Sequence, residues 1–331
     1  MRRFLLMVLS VALFASSARA DVIVTGFAES SIRRYDEVTG APGAPIIAPG
    51  SGTGSGFVAP GGATYGPDGF LYVSCQVSVF APGSPDFVMK VNPATGAFTP
   101  FIALATGYVP AGLRFGPNGN LYVARNGGQG APAGSGSVDV YNGVSGAFIT
   151  SAVTSLTQPT GLTFNGNNLY ISNFGAGNVI RYDGASSSIF ASGGGLAAPS
   201  ATAFGADGKL YVTDLLLGAV RRYNGTTGAF EDNFVADGGA LANQFPADML
   251  FDQLGRLLVA NLGFSFNPGD PPNLHGNVMS FSAANGNFLG VFAPDILGAS
   301  SILLTPIPEP TSLALMGAAA MGGWIRWRRR S

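Results

Sequence analysis

Cysteine occurs once in this chain, at Cys75, and histidine once, at His275. One thiol cannot close an intrachain disulfide, and one cysteine with one histidine cannot build a zinc site of the usual kind. Charge is scarce as well: Asp, Glu, Lys and Arg together make up 11% of the residues. Seven of the 17 basic residues lie near the ends (Arg2, Arg3, Arg19, Arg326, Arg328, Arg329, Arg330), leaving ten against 18 acidic residues between Asp21 and Pro310, a formal charge of −8. An acidic body without basic patches excludes a nucleic-acid partner and suits an extracellular one. No Gly-x-Ser-x-Gly elbow stands between a strand and a helix, and no glycine-rich loop ends in Lys-Ser or Lys-Thr, so neither an α/β-hydrolase nucleophile nor a phosphate cradle is present. Cys75, expected half-buried behind Leu71-Tyr72-Val73, has no visible base to make it a nucleophile. His275 stands in a proline-rich loop with no acidic partner nearby in sequence.

Both ends of the chain are addresses. Arg2 and Arg3 precede an apolar run over residues 4–14, and Ala18-Arg19-Ala20 supplies the small residues of a signal-peptidase site, so residues 1–20 read as a signal peptide and the mature chain starts near Asp21. Cys75 lies too far from that site for lipoprotein acylation. At the other end Pro308-Glu309-Pro310 is followed by an apolar run over residues 313–325 and by Arg326, Arg328, Arg329 and Arg330, with Trp324 and Trp327 among them. The run is short against the roughly 20 residues of a spanning helix, but its flanking arginines and tryptophans favour a membrane stop over a core helix. Tripeptide, helix and basic tail together resemble the PEP-CTERM sorting signal of Gram-negative bacteria that make extracellular polysaccharide. The resemblance assigns residues 306–331 to sorting. It implies signal peptidase and exosortase as processing partners, a transient hold in the inner membrane, and a final place at the cell surface or in the extracellular matrix.

Between the ends the chain repeats. A phrase of the form Gly-x-x-Gly-x-Leu-Tyr-Val, or a close relative, recurs over residues 66–73, 116–123, 165–171 and 205–212, with a fifth copy at 252–259 that has Leu258 in place of tyrosine. Its central leucines, Leu71, Leu121, Leu169, Leu210 and Leu257, are 41 to 50 residues apart. A short strand precedes each copy across a turn such as Pro67-Asp68-Gly69, and a third and fourth strand follow. Four antiparallel strands per unit predict a propeller blade. Five units are complete, and residues 22–24 and 32–35 look like the end of a sixth. Residues 300–305 supply its missing first strand. The expectation is an all-β, six-bladed propeller over residues 21–305, closed by pairing of its N- and C-terminal strands, which removes the open sheet edges.

These repeats resemble the NHL and gluconolactonase/regucalcin-like propellers. The calcium-dependent lactonases of that superfamily carry an Asp directly after the proline that opens an inner strand. Here Gly61, Ala111, Thr160, Ser200 and Ala247 follow those prolines, so the resemblance implies no resident metal or cofactor, with calcium the one candidate. The residues at the exits of the second strands, Arg125, Asn173, Asp214 and Asn261, together with Asp248, are the candidate polar rim of a channel mouth. They are predicted to face one opening, surrounded by the long loops of the first, second and fifth blades. Tyr72, Tyr122, Tyr170 and Tyr211 recur at one strand position and are assigned to contacts between blades. The function that follows is an exported binding or structural module without catalytic residues, its partners extracellular polysaccharide or surface proteins. The alternative is a lactonase-like hydrolase or a lyase acting through the rim.

Overall fold

A computed structural model describes residues 19–51, 57–128, 131–263 and 276–306. The signal peptide as far as Ala18, His275 in the loop of the fifth blade, and the tail carrying Pro308, Glu309, Pro310, Arg326, Arg328, Arg329 and Arg330 lie outside the described residues. Asp21–Thr305 form one compact unit.

Six antiparallel sheets make up this unit. Five have four strands in chain order, with inner strands Pro60–Tyr65, Pro110–Phe115, Pro159–Asn165, Pro199–Phe204 and Pro246–Phe251. In the sixth, the C-terminal strand Ala299–Leu304 pairs with the N-terminal strand Asp21–Gly26, which pairs with Ser31–Asp36. The fourth place in that blade is filled by residues 42–47, a Pro-Gly-Ala-Pro stretch followed by two isoleucines, which make only the bridges Ile32↔Ile47 and Tyr35↔Pro42. Prolines there stop further ladder pairing at the edge. Each inner strand neighbours the next and the last neighbours the first, so the ring is closed. The expected terminal closure is present, with Val22↔Leu304 and Val24↔Ile302 in register.

The repeated phrase is explained by packing between blades. Its tyrosine meets the inner-strand phenylalanine of the following blade edge-on: Tyr72 with Phe115, Tyr122 with Phe164, Tyr170 with Phe204 and Tyr211 with Phe251, at centroid distances of 4.8–5.1 Å. Tyr72, Tyr170 and Tyr211 also meet a fourth-strand phenylalanine of their own blade. Contacts of this geometry add about 0.5–1.5 kcal/mol each beyond the burial itself. The hydroxyls reach back into the hairpin turn, where Tyr72 Oη donates to Asp68 and Tyr211 Oη donates to Asp207, both at 2.9 Å. One residue type thus fills the interblade core and fixes the turn before it.

The inner strands come closest where glycine stands third in the strand. A Cβ on Gly62, Gly112 or Gly161 would lie 2.4–2.7 Å from a backbone carbonyl oxygen of the next blade. In the last three blades this position holds Ala201, Asp248 and Ser301, and the spaces there admit side chains. Asp248 receives the N–H of Ile302 and the hydroxyl of Ser301, and Ser301 Oγ in turn receives the N–H of Ala63. A polar chain therefore runs from the fifth blade through the terminal blade to the first, across the seam where the ring closes.

Candidate functional site

The inner strands run from an upper face, where their prolines stand, to a lower face with the Tyr72-type hairpins. An axial cavity of about 570 Å³ opens on the upper face, within the usual range for small-molecule pockets. Its wall is made by the second residues of the inner strands, Gly61, Ala111, Thr160, Ser200, Ala247 and Ser300. The hydroxyls among them are already engaged: Thr160 Oγ1 donates to Ser200 O at 2.9 Å, Ser200 Oγ to Ala247 O at 2.8 Å and Ser300 Oγ to Pro60 O at 2.6 Å. They hold each blade to the next rather than offering themselves to a ligand.

Four of the five predicted rim residues turn away from this cavity. Asp214 is fully buried and accepts the N–H groups of Ala197, Ala198 and Leu217 and the Nε–H of Arg221, itself buried. Asn173 accepts the N–H of Thr157 and donates to Asn178 Oδ1. Asn261 donates to Val259 O and Asn277 Oδ1, while its own oxygen is buried with no partner among the described residues. Arg125 donates to Ser137 Oγ and Ser135 O and lies over the Tyr108 ring. The expected polar rim is therefore corrected: these groups fix upper loops from within. Only Asp248 lines the cavity.

The reason is the period of a strand. Arg125, Asn173, Asp214 and Asn261 pair directly with the inner-strand prolines Pro110, Pro159, Pro199 and Pro246. Consecutive side chains on a strand point to opposite sides. The next residue in each blade faces the mouth, and the collar is Phe27, Gln76, Asn126, Phe174, Leu215 and Leu262, one from every blade. Four are apolar, and the two amides donate to Pro110 O and Pro159 O of the following blade. Val79, Val109, Leu216 and Phe245 extend the apolar surround. Val109 and Phe245 have φ of 47° and 56°, a left-handed conformation that is rare for a β-branched or bulky residue. Both are held there: the carbonyl of Val109 accepts from Asn126 N and that of Phe245 from Leu262 N, both at 3.0 Å. Sequence reasoning chose the wrong parity at the strand exits.

Charge enters the cavity at depth. Arg114 lines both this cavity and a second hollow towards the lower face, so it stands at the neck between them with Thr163 and Thr202. Its Nη1 donates to Ala63 O at 2.8 Å. Burial pushes the Asp248 carboxyl above the usual carboxylate range, against the opposing charge of Arg114 and the donors Ile302, Ser301 and Met249. Among the described residues no group of three or more His, Cys, Asp or Glu is placed to hold a metal ion. Cys75 is fully buried rather than half-buried, and burial pushes its thiol up, which removes it as a nucleophile.

Residues 306–330 match the PEP-CTERM protein-sorting motif. No curated protein matches the chain. Among solved structures, the chain is similar to one in the crystal structure of a nidogen/laminin complex, with TM-score 0.63 and 14% identity, over 87% of this chain and 98% of that one. It is similar to a protein of unknown function from Bacteroides caccae, with TM-score 0.59 and 14% identity, over 88% and 100%. A selenomethionine-substituted virginiamycin B lyase from Staphylococcus aureus matches at TM-score 0.48 and 13% identity, over 76% and 71%. At such identities the first two likenesses show the fold alone. Fold and motif define a class: an exported, six-bladed β-propeller that exosortase processes. It is held at the membrane of a Gram-negative cell before its tail is removed.

Proposed function

We propose that this protein is an exported binding module, working at the cell surface or in the extracellular polysaccharide matrix, whose contact surface is the upper mouth of the propeller. One observation carries the reading: the mouth and the two ends of the compact body, Asp21 and Thr305, lie on opposite faces. Thr305 N donates to Asp21 O at 2.8 Å and Asp21 N to Thr305 Oγ1 at 2.7 Å, so both ends leave where the first hairpin of the sixth blade would stand, on the lower face. A body attached by that face presents the collar outward. The apolar character of the mouth favours binding, because Val79 and Leu216 in the surround of the collar remain 41% and 53% exposed and side chains of this kind grouped around a concavity mark an interaction site.

The test replaces Phe174 and Leu216 together by Asp in the native host and measures how the processed protein partitions between cell surface and medium. Lower surface retention with an unchanged melting temperature is expected. Retention equal to that of the parent would remove the mouth as the working surface.

A further inference from the structure

The neck of the axial cavity contains a cation with unused bonding capacity. Arg114 spends one hydrogen bond on Ala63 O and makes no ion pair within 4 Å among the described residues. Asp248, close enough to feel the Arg114 charge, is differently placed. Its oxygens already receive Met249 N, Ile302 N and Ser301 Oγ. Above the neck, the wall hydroxyls are taken by neighbouring carbonyls, and the collar residues Phe27, Phe174, Leu215 and Leu262 are apolar.

We propose that the axial cavity binds a small anionic amphiphile, with its oxyanion at Arg114 and its apolar body against the collar. The arrangement matches the ligand end to end. A guanidinium donates to an oxyanion through charge-assisted bonds in a site partly screened from water, and the collar covers the remainder of the molecule. A carbohydrate fits less well, because the cavity has no unengaged wall hydroxyls and its collar has no tyrosine or tryptophan.

This inference rests on the upper mouth being a binding surface, and the test keeps the two apart. The processed protein, recovered without its tail, is titrated calorimetrically with octanoate, octan-1-ol and octylammonium. Octanoate is expected to bind once per chain and about tenfold or more tighter than octanol, the ratio a charge-assisted hydrogen bond supplies; octylammonium should be weakest. Arg114→Met should reduce octanoate to the octanol level while leaving octanol binding unchanged. Asp248→Asn, which removes the neighbouring negative charge, should tighten octanoate. Equal affinity for all three probes, or tighter octanoate binding in Arg114→Met, overturns the anionic assignment and leaves the mouth as a binding surface. Failure of all three probes to bind the folded protein overturns this proposal, and the retention assay then decides the wider reading independently.

Discussion

At the scale of single residues, the ring is set by what will fit between neighbouring inner strands. Gly161 shows this most sharply, since a Cβ there would lie 2.5 Å from Ser200 O and 2.8 Å from Ala201 Cα, both main-chain atoms. Neither can rotate away, so an added methyl must push one blade from the next. Gly161→Ala is expected to destabilise the propeller by about 1–3 kcal/mol, the usual cost of overpacking, read as a lower denaturation midpoint in urea with an unchanged slope. A midpoint equal to that of the parent would mean that the approach of the blades is slack. This close contact was not legible in the sequence, where Gly161 is one glycine among 49. The parity error at the mouth has a related origin. Asn and Asp after a strand look alike whether they face a ligand or a turn, and only pairing with the inner-strand proline reveals that Asp214 and Asn261 point inward. Leu215 and Leu262, next in the chain, carry no chemical signature that would mark them as a collar.

At the scale of elements, the four-stranded repeat was readable because each strand position has its own physical demand. Tyrosine fills the space between blades, Asp68 and Asp207 close hairpins, and Asn92 and Asn224 accept N–H groups two and three residues ahead in the outer turns. The same logic exposed the split sixth blade. What stayed hidden was its fourth place, because a Pro-Gly-Ala-Pro segment bridges without forming a strand and so leaves no alternating pattern. Closure of that blade is tied at several points: the ladder with Asp21–Gly26, the Asp248 bonds to Ser301 and Ile302, and Ser300 Oγ to Pro60 O. Ile302 is also buried in the core between the fifth and sixth blades. Ending the chain before Gly298 is therefore expected to destabilise the entire domain, since it opens two sheet edges and uncovers a core cluster at once. Ending it after Pro310 should leave thermal unfolding unchanged. Equal melting of the two truncations would show that the terminal strand is not what closes the ring.

At the scale of the whole molecule, export and architecture share one geometry. Asp21 and Thr305, the two ends of the compact body, lie side by side, joined by hydrogen bonds. Removal of the tail is expected to leave the fold intact, because no residue beyond Thr305 belongs to the compact body. The composition provides a direct readout of this processing. Both tryptophans of the chain, Trp324 and Trp327, lie in the sorting motif and none lies in the propeller. Tail removal should therefore abolish tryptophan emission excited at the red edge of the band and leave tyrosine emission alone. In the native host the processed protein is expected to lack the tryptophan signal. Glu309→Ala, which alters the tripeptide that exosortase recognises, should accumulate a membrane-held precursor that retains it. Arg326, Arg328, Arg329 and Arg330 resist transfer through hydrocarbon, so the uncut tail should keep that precursor in the membrane fraction, with the propeller melting as in the parent. Mass spectrometry gives the absolute check: a surface-located protein that still ends at Ser331 and still fluoresces as tryptophan would make the segment a permanent anchor and remove exosortase from the account.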